Sequence, residues 1–496
     1  MASPRGGIVL ALDQGTTGTT VVAVGEDGEL RGRGYCEITQ HYPRLGWVEH
    51  DPEEIWQSVL TAAAAALTAA GAEPAAVRAV GITNQRETLV LWDRRTLRPL
   101  HPAIVWQDRR TARDCDRLRA AGEEERVRRV TGLVIDPYFT ATKLRWAIDN
   151  VEGSRTAAAG TVDSWLLARL TGGRVHATDA SNASRTLLLD IGSGRWSEEM
   201  AGLFGVPLSV LPEVVASSGE AGRTDPEAFG GVSAPVSGIA GDQQAALFGQ
   251  ACREPGMAKN TYGTGSFVLL QTGAERVESK SRMLTTVAWL REGRLAYALE
   301  GAIFVTGAAL QWLRDELGVI QSAAEAGPLA ASVPDAGGVF LVPAFTGLGA
   351  PHWDAYARGA ILGLTRGSSR AHLVRAAVEA MAYQTADVVE AMTGDTGEPF
   401  RELRVDGGAS VMDVLCQFQA DLLGIPVRRP RHVESTALGA AFLAGRGAGV
   451  WGSDAELAHL WRLDREFTPR MSRDEARNLL HQWHRAVQRS LDWAPR

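Results

Sequence analysis

IVLALDQGTTGTTVVAV, residues 8–24, is the stretch that decides the fold. The apolar run Ile8–Leu12 predicts a buried strand, Asp13–Gly18 a turn, and Thr20–Val24 a second strand. An acid at a strand end, followed by a Gly/Thr turn, offers backbone N–H groups and hydroxyls to an anion, and the acid can hold hydrated Mg²⁺. An ordinary hairpin is an equal alternative, because Gly and Thr are common in turns and strands.

A related pattern recurs past the midpoint of the chain. Val236–Ala240 predicts a strand that ends at Gly241-Asp242 and is followed by a short helix, and Thr261–Ser266 repeats the Gly/Thr turn before the apolar run Phe267–Leu270. Two such turns that face each other could grip a polyphosphate. Strand-like runs alternate with helical patterns, and 496 residues exceed a single ordinary core. We therefore predict an α/β protein with two similar domains, residues 1–250 and 251–496.

The composition excludes several classes of protein. The net charge of −7 contains no long run of one sign, which argues against a nucleic-acid-binding face. The four cysteines lie far apart without CxxC spacing, so neither a zinc site nor a disulfide framework is expected. No strongly apolar run of about 18 residues occurs, so no membrane span is expected. These features predict a cytoplasmic protein. Lysine is rare, with only Lys143, Lys259 and Lys280 available to hold phosphates.

Three further motifs have a chemical interpretation and a commoner structural one. Asp242 could be a general base at the start of a helix, but in isolation a helix N-cap is favoured. Arg86-Glu87, just after the strand Val80–Thr83, suits a small polar ligand, whereas a surface ion pair is commoner. Asp406-Gly407-Gly408 could admit a nucleotide, but a plain turn is favoured.

The best-known nucleotide signatures are absent from the sequence. No glycine precedes a lysine, so there is no Walker A loop, and the protein-kinase HRD and DFG elements are also missing. Residues 447–452 satisfy GxGxxG by spacing, but they follow a helical pattern instead of a strand. We therefore interpret them as a glycine-rich helix end.

Taken together, the motifs resemble those of the glycerol kinases in the FGGY family of carbohydrate kinases. The matching stretches run along almost the whole chain and comprise residues 12–17, 46–52, 81–88, 131–139, 241–250, 259–265, 343–351 and 405–408. The resemblance implies the actin-like ATPase fold, in which two ribonuclease-H-like domains flank an active-site cleft. It also implies phosphoryl transfer from ATP, with Mg²⁺, to glycerol. Members of the family are often homodimers or homotetramers, and no interface can be read from this sequence.

The resemblance further implies roles for individual residues. Glycerol would be held by polar side chains and an apolar wall, which are Arg86, Glu87, Tyr138, Asp242 and Gln243 with Trp106 and Phe267. Asp242 would also be the general base. The nucleotide would be bordered by residues of both halves, namely Thr16, Thr17, Gly18, Thr264, Gly307, Gln311, Gly408 and Met412, and Mg²⁺ would be held by Asp13 and Asp242.

The sequence departs from the family pattern on the nucleotide side. Gly18 stands where these kinases usually have serine, Thr20 where they have arginine, and Met412 where an asparagine is common near the adenine. A cation near the phosphates is therefore expected to be missing. The alternatives are an FGGY kinase for a longer polyol or ketose, and a non-enzymatic actin-like scaffold, which would need the phosphate hairpins but no acceptor pocket.

Overall fold

The computed structural model describes residues 6–495 and confirms the mixed α/β class. The strands of the first half are β1 (Ile8–Gln14), β2 (Gly18–Gly25), β3 (Leu30–Glu37), β4 (Glu49–His50), β5 (Val77–Asn84), β6 (Val90–Trp92), β7 (Ala103–Ile104), β8 (Ala158–Gly160), β9 (Ala177–Asp179), β10 (Leu189–Asp190), β11 (Arg195–Trp196), β12 (Glu213–Val215), β13 (Ser218–Arg223) and β14 (Pro235–Gly241). Its helices are α1 (Pro52–Ala70), α2 (Ala112–Ala120), α3 (Glu124–Thr131), α4 (Thr140–Asn150), α5 (Val162–Leu170), α6 (Ala180–Ala183), α7 (Glu198–Phe204) and α8 (Asp242–Gly249).

The second half has the same mixture of elements. Its strands are β15 (Ala258–Tyr262), β16 (Ser266–Gly273), β17 (Leu284–Arg291), β18 (Arg294–Ile303), β19 (Phe340–Val342), β20 (Ala360–Leu362), β21 (Leu403–Asp406), β22 (Val427–Pro430) and β23 (Leu463–Phe467). Its helices are α9 (Gly307–Asp315), α10 (Ala323–Ala331), α11 (Arg370–Thr396), α12 (Asp413–Leu423), α13 (Ser435–Gly447), α14 (Asp454–Leu460) and α15 (Arg473–Gln488). Among residues 6–495, no helix is long and apolar enough to cross a membrane.

Two large sheets share the same arrangement at their centres. The first sheet has the order β13-β14-β5-β1-β2-β3, and the second has β17-β18-β16-β15-β21-β22-β23. In each sheet, the strand that precedes a Gly/Thr hairpin pairs with its antiparallel partner on one side and a parallel strand on the other: β1 with β2 and β5, and β15 with β16 and β21. The two halves are thus built alike around their hairpins, as the sequence predicts.

Local sequence signals account for the element ends. The Asp51 carboxylate accepts a hydrogen bond from the Glu53 N–H at 2.8 Å and caps α1, and Gly71 ends the helix with φ of 60°. Both ends of this helix were expected from the sequence. Gly447 is the last residue of α13 and residues 448–452 follow it, which confirms that this GxGxxG spacing marks a helix end.

Helix α13 lies against the sheet of the other half of the chain, through contacts that leave no room for side chains. A Cβ atom on Gly439 would lie well inside van der Waals distance of the Ala245 carbonyl oxygen in α8, and one on Gly249 would meet the Ser435 carbonyl. A Cβ on Gly81 in β5 would meet the Ala440 carbonyl in the same way. The proposed division at residue 250 stays a prediction, and α13 packs across it.

This packing yields a stability prediction. Gly439→Ala should lower the unfolding midpoint in urea strongly, because overpacking against backbone costs about 1–3 kcal/mol or more. Gly202→Ala is the matched control, because Gly202 lies in α7 with no atom near its Cβ position, and removing a helical glycine stabilises by roughly 0.5–1 kcal/mol. A Gly439→Ala variant as stable as the control would contradict the close approach of α13 to α8.

Candidate active site

The polar motifs of the first half meet because three parallel strands end at one edge of its sheet. Gln14 at the end of β1 and Gly241 at the end of β14 both pair with Asn84 at the end of β5. Asp242 therefore follows one strand, Arg86 follows its neighbour, and Asp13 lies at the end of the third. Side chains at the carboxyl ends of parallel strands converge in this way on a ligand site.

The turn after β5 is strained and is tied to the first hairpin. Glu87 has φ of 60°, which is uncommon for a residue other than glycine, and the Thr88 N–H donates to the Arg86 carbonyl at 2.7 Å. Gln85 Nε2 donates to Gln14 Oε1 at 3.0 Å and to the Gly15 carbonyl at 3.2 Å. Strain of this kind costs about 1–3 kcal/mol and concentrates at functional sites.

Arg86 is buried between acids of both halves of the chain. Its Nη1 lies 2.5 Å from Glu300 Oε2 and its Nη2 3.1 Å from Glu300 Oε1, while its Nε lies 3.0 Å from Asp242 Oδ1. Arg185 extends the network, donating to Glu87 Oε1 at 2.7 Å and to Glu300 Oε1 at 2.9 Å. Arg86-Glu87 is therefore not a surface ion pair: both side chains are at most 2% exposed.

The charged groups of this network shift one another's pKa values, and the shifts oppose the effect of burial. Burial by itself would raise the pKa of Glu300, but Arg185 and Arg86 lower it to about 2. Burial would likewise lower the pKa of Arg86, and Glu300 and Glu87 raise it instead. The pKa of Glu87 is raised, chiefly by burial, against the opposing charges of Arg86 and Arg185. Both arginines and Glu300 are therefore charged at neutral pH.

The interpretation of Asp242 as a helix N-cap is wrong. The cap residue of α8 is Gly241, and Asp242 is the first helical residue. Its Oδ1 accepts from the Gln243 N–H at 2.7 Å and from Arg86, and its side chain remains 31% exposed. Oδ2 has no hydrogen bond within the described chain. One carboxylate oxygen is thus fixed, and the other is left for a ligand.

Aromatic side chains surround the acids and arginines. The Trp106 and Tyr138 rings meet edge to face with centroids 5.6 Å apart, and the Arg86 guanidinium lies 5.8 Å from the Phe267 ring. Burial, followed by the charge of Glu87, raises the pKa of Tyr138, so its hydroxyl remains a donor. Trp106 and Phe267, predicted as the apolar wall of the acceptor site, therefore lie beside the polar residues Tyr138 and Arg86.

The first Gly/Thr hairpin is continuous with this pocket. Gly15 donates to the Gly18 carbonyl at 2.9 Å and closes the turn, and Thr16 Oγ1 accepts from Trp106 Nε1 at 2.9 Å. Thr17, at the tip, is exposed. A Cβ atom on Gly18 would lie 2.7 Å from the Cys36 carbonyl oxygen and 2.6 Å from the Tyr35 hydroxyl, so a serine there would require a local shift of the β3 backbone.

The second hairpin is joined to the start of α9 and to the turn after β21. Gly263 donates to the Gly265 carbonyl at 2.8 Å and accepts from the Gly307 N–H at 3.0 Å, and the Thr264 carbonyl accepts from Ala308. Gly407 has φ of 81° and lies so close to the Tyr262 carbonyl that no side chain would fit. Thr264, Gly307 and Gly408 are therefore neighbours in one backbone-lined region.

Two predicted nucleotide residues lie at the border of this region. Gln311 is exposed on α9, one turn beyond Gly307. Met412 is buried and packs towards Gly327 of α10, so it offers an apolar surface where an asparagine would offer an amide.

The carboxylates of Asp13 and Asp242 suit a Mg²⁺ ion whose remaining ligands are waters and phosphate oxygens. Burial, then the charges of Asp242 and Glu434, raises the pKa of Asp13 to about 8, and a divalent cation would relieve this repulsion. Within residues 6–495, no group of three or more His, Cys, Asp or Glu side chains is arranged for a metal ion. Mg²⁺ in proteins commonly keeps several waters and binds one or two carboxylates plus substrate phosphates.

Several residues of the site escaped the sequence analysis. Glu300 and Arg185 complete the buried network, and Lys259 donates to Gln243 Oε1 at 2.5 Å and to Thr261 Oγ1 at 2.8 Å. Lys143 is buried and donates to the Tyr138 carbonyl at 2.6 Å, which fixes the pocket wall. For Lys259 and Lys143, the only signal in the sequence was that lysine is scarce, and this did not indicate where the two side chains lie.

Comparisons with known proteins agree on one family. Residues 8–249 match the N-terminal domain of the FGGY family of carbohydrate kinases, and residues 258–448 match its C-terminal domain. The chain is 57% identical over 492 residues to the glycerol kinase of Dechloromonas aromatica, with 98% of each chain covered. It superposes on the crystal structure of Plasmodium falciparum glycerol kinase with ADP with a TM-score of 0.91, at 34% identity over 98% of each chain. For a xylulose kinase from Rhodospirillum rubrum the TM-score is 0.84, at 25% identity over 97% of this chain and 98% of the other.

The buried network yields a second stability prediction. Glu300→Gln should destabilise the protein by about 3–5 kcal/mol, because it leaves two buried arginines short of a negative partner. Glu199→Gln is the control: it breaks a surface pair with Arg126 (2.6 Å) and should cost less than about 1 kcal/mol. Urea unfolding of both variants measures the two changes in the free energy of unfolding.

The pH dependence of the same effect follows from the pKa of Glu300. This pKa is lowered from 4.5 to about 2 on folding, so the stabilisation is present above about pH 4.5 and is lost as the pH falls towards 2. The advantage of the wild type over Glu300→Gln should therefore shrink across that range. A constant difference would contradict a charged Glu300.

Proposed function

This chain belongs to the FGGY family of carbohydrate kinases, and we propose that it transfers the γ-phosphate of ATP to a primary hydroxyl of glycerol, giving sn-glycerol 3-phosphate. The observation that carries the proposal is the side-chain cluster at the proposed acceptor site, in which Arg86, Glu87 and Asp242 are fixed by ion pairs beside three aromatic side chains. The identity of 57% to a curated glycerol kinase supports the same acceptor.

The pocket chemistry matches a three-carbon triol. Glycerol offers only hydroxyl groups and a short carbon chain, so it needs fixed donors and acceptors on one side and an apolar wall on the other. Arg86 Nη2 gives one N–H to Glu300 and has a second to offer, while Glu87 supplies an acceptor. Tyr138 and Gln243 add a hydroxyl and an amide, and Trp106 with Phe267 covers the carbon side.

Asp242 is the proposed general base. Arg86 and the Gln243 N–H hold Oδ1, so Oδ2 can take the proton of the attacking hydroxyl without the side chain having to reorient. The hydroxyl oxygen attacks the γ-phosphorus in line, and the bond to the β-phosphate oxygen breaks to release ADP. Positioning of the two substrates is expected to lower the barrier by about 7–11 kcal/mol.

In this proposal, the nucleotide is bound mainly by backbone groups. The N–H groups and hydroxyls of the hairpins at Thr16-Thr17 and Thr264 are placed for the phosphates, and Gly307, Gln311, Gly408 and Met412 border the nucleotide. Bound Mg²⁺, held by Asp13 and Asp242 with waters and phosphate oxygens, would neutralise charge on the transferred group. Closure of the cleft excludes water, which would otherwise compete as acceptor.

The setting of the reaction is also part of the proposal. We place it in the cytoplasm, in glycerol catabolism, with glycerol and ATP as the small-molecule substrates and no nucleic acid or membrane partner. A homodimer or homotetramer, as in many members of the family, stays a prediction.

A coupled ADP-release assay tests the substrate. We expect glycerol to give the highest kcat/KM in a panel with dihydroxyacetone, xylulose and ribulose, because the chain is 57% identical to a glycerol kinase but only 25% identical to a xylulose kinase of the same fold. Faster turnover of a pentulose would favour the ketose-kinase alternative. ADP release that glycerol does not stimulate would favour a non-enzymatic scaffold.

Asp242→Asn tests the base. The variant keeps an oxygen for Arg86 but cannot take a proton, so kcat should fall by about 10²–10⁴ while the KM for glycerol changes little. Asp149→Asn removes a surface carboxylate paired with Arg145 at 2.8 Å and should leave kcat unchanged. Equal melting temperatures establish that both variants are folded. An Asp242→Asn variant with near-wild-type kcat would exclude this residue as the base.

A further inference from the structure

A second cavity lies in the C-terminal half of the chain and contains none of the predicted site residues. It has a volume of about 370 Å³ and lies between the segment 280–282, the segment 351–352 and helices α11 and α15. Its titratable lining side chains are Lys280, Arg282, His352, Asp387, Glu390 and His484.

The floor of the cavity is a buried carboxylate with two histidines. Asp387 Oδ1 lies 2.8 Å from His484 Nε2, and Asp387 Oδ2 accepts from Trp483 Nε1 at 2.8 Å and lies 3.5 Å from His352 Nε2. Each imidazole thus uses Nε2 on Asp387, and its Nδ1 has no hydrogen bond within the described chain. A protonated ring would present that Nδ1–H to a ligand.

The rim of the cavity carries two cations without ion-pair partners in residues 6–495. Lys280 and Arg282 have exposed side chains, but their backbone is fixed: Asp395 Oδ1 accepts from the Lys280 N–H at 2.8 Å, and the Arg282 carbonyl accepts from Trp353 Nε1 at 3.0 Å. Arg282 has φ of 62°, a strained conformation for a residue with a side chain.

The charge of the cavity depends on pH. Among the charged side chains that line the cavity, Lys280 and Arg282 face Asp387 and Glu390, and two further acids lie beside the rim: Asp395 binds the Lys280 backbone and Glu124 interacts electrostatically with Arg282. The hydrogen bond to Asp387, more than any other cause, raises the pKa of His484. A proton gained by His484 adds a positive charge to the lining, so the cavity becomes more favourable to an anion as the pH falls.

A purely structural role explains only part of this arrangement. Asp387 on α11 binds Trp483 and His484 on α15, which attaches the C-terminal helix to the core. That role requires neither Lys280 nor Arg282, and it does not require a second histidine facing the same cavity. A metal ion fits poorly, because both Nε2 atoms already face Asp387 and no metal-binding group is found among the described residues.

We propose that this cavity binds a small phosphate-bearing anion, with Lys280 and Arg282 as its ion-pair partners and the Nδ1–H groups of His352 and His484 as donors. Phosphate offers several acceptor oxygens, which suits two cations and two imidazoles that converge from the rim and the floor. The ligand is either free phosphate or a phosphate monoester with a short carbon skeleton, for which the cavity has space.

Calorimetry with inorganic phosphate tests the proposal on the full chain. Glycerol, Mg²⁺ and a non-hydrolysable ATP analogue are present throughout, so that phosphate cannot bind in the cleft. We expect saturable binding at pH 6.5, and at least tenfold weaker binding to the double variant Lys280→Gln/Arg282→Gln. Arg113→Gln/Arg366→Gln removes two charges from exposed positions elsewhere and should bind as the wild type does.

Two further binding measurements, with sulfate and with glycerol 3-phosphate, test the role of the histidines and identify the ligand. Sulfate does not titrate in this range, so its affinity should fall from pH 6.5 to pH 8.5 as His484, whose pKa is raised by its hydrogen bond to Asp387, loses its proton. Glycerol 3-phosphate that binds more tightly than inorganic phosphate indicates a monoester, and equal affinities indicate free phosphate. No binding with the cleft blocked, or equal affinity in wild type and the Lys280/Arg282 variant, would overturn the proposal.

Discussion

The buried ion pair between Arg86 and Glu300 is the constraint on which the rest of the site depends. Arg86 follows β5 of the first sheet and Glu300 lies in β18 of the second, so their contact joins the two halves at the floor of the cleft. A pair without water contact is favourable only when its remaining hydrogen-bonding groups are also satisfied. Arg185, Gln244 and Asp242 supply most of these partners and fix the carboxylates of the proposed acceptor site, while Arg185 Nη1 has no hydrogen-bond partner among the described residues and one N–H of Arg86 Nη2 is left for a ligand. Stability and substrate position thus rest on the same side chains.

A second constraint on the two halves is steric and involves no charge. Helix α13 is close in sequence to the second sheet but packs on the first, with glycines at its contacts with α8 and β5. Because backbone meets backbone there, the packing has little freedom to shift. The start of α8 carries Asp242, so α13 supports from behind the helix that presents the proposed base. The Arg86–Glu300 ion pair, through the bond from Arg86 to Asp242, and the glycine contacts of α13 therefore both constrain the short helix α8.

Local patterns predicted most of the secondary structure around the site, because its strands are short apolar runs bounded by Gly, Asp and Thr. The strand Ile8–Leu12 is observed as Ile8–Gln14, and Val236–Ala240 as Pro235–Gly241. The environment of individual polar residues was not predictable in this way. In isolation Arg86-Glu87 was expected at the surface, because its partners Glu300 and Arg185 lie 214 and 98 residues away in the sequence. Only the family resemblance brought the acceptor residues together, and it did not include those two partners.

In the proposed function, different parts of the chain recognise the two substrates, and this bears on the sequence departures at the proposed nucleotide site. The acceptor pocket consists of charged and aromatic side chains in a fixed network, so a changed residue there would leave a buried charge without its partner. The hairpins at Gly15 and Gly263 are closed by backbone hydrogen bonds and offer main-chain N–H groups, which a side-chain substitution does not remove. Glycine at position 18 accommodates the Tyr35 hydroxyl, and threonine at position 20 leaves the hairpin itself intact. The backbone of the proposed phosphate site is therefore intact without an arginine at position 20, whereas the proposed acceptor site depends on the Arg86 side chain itself.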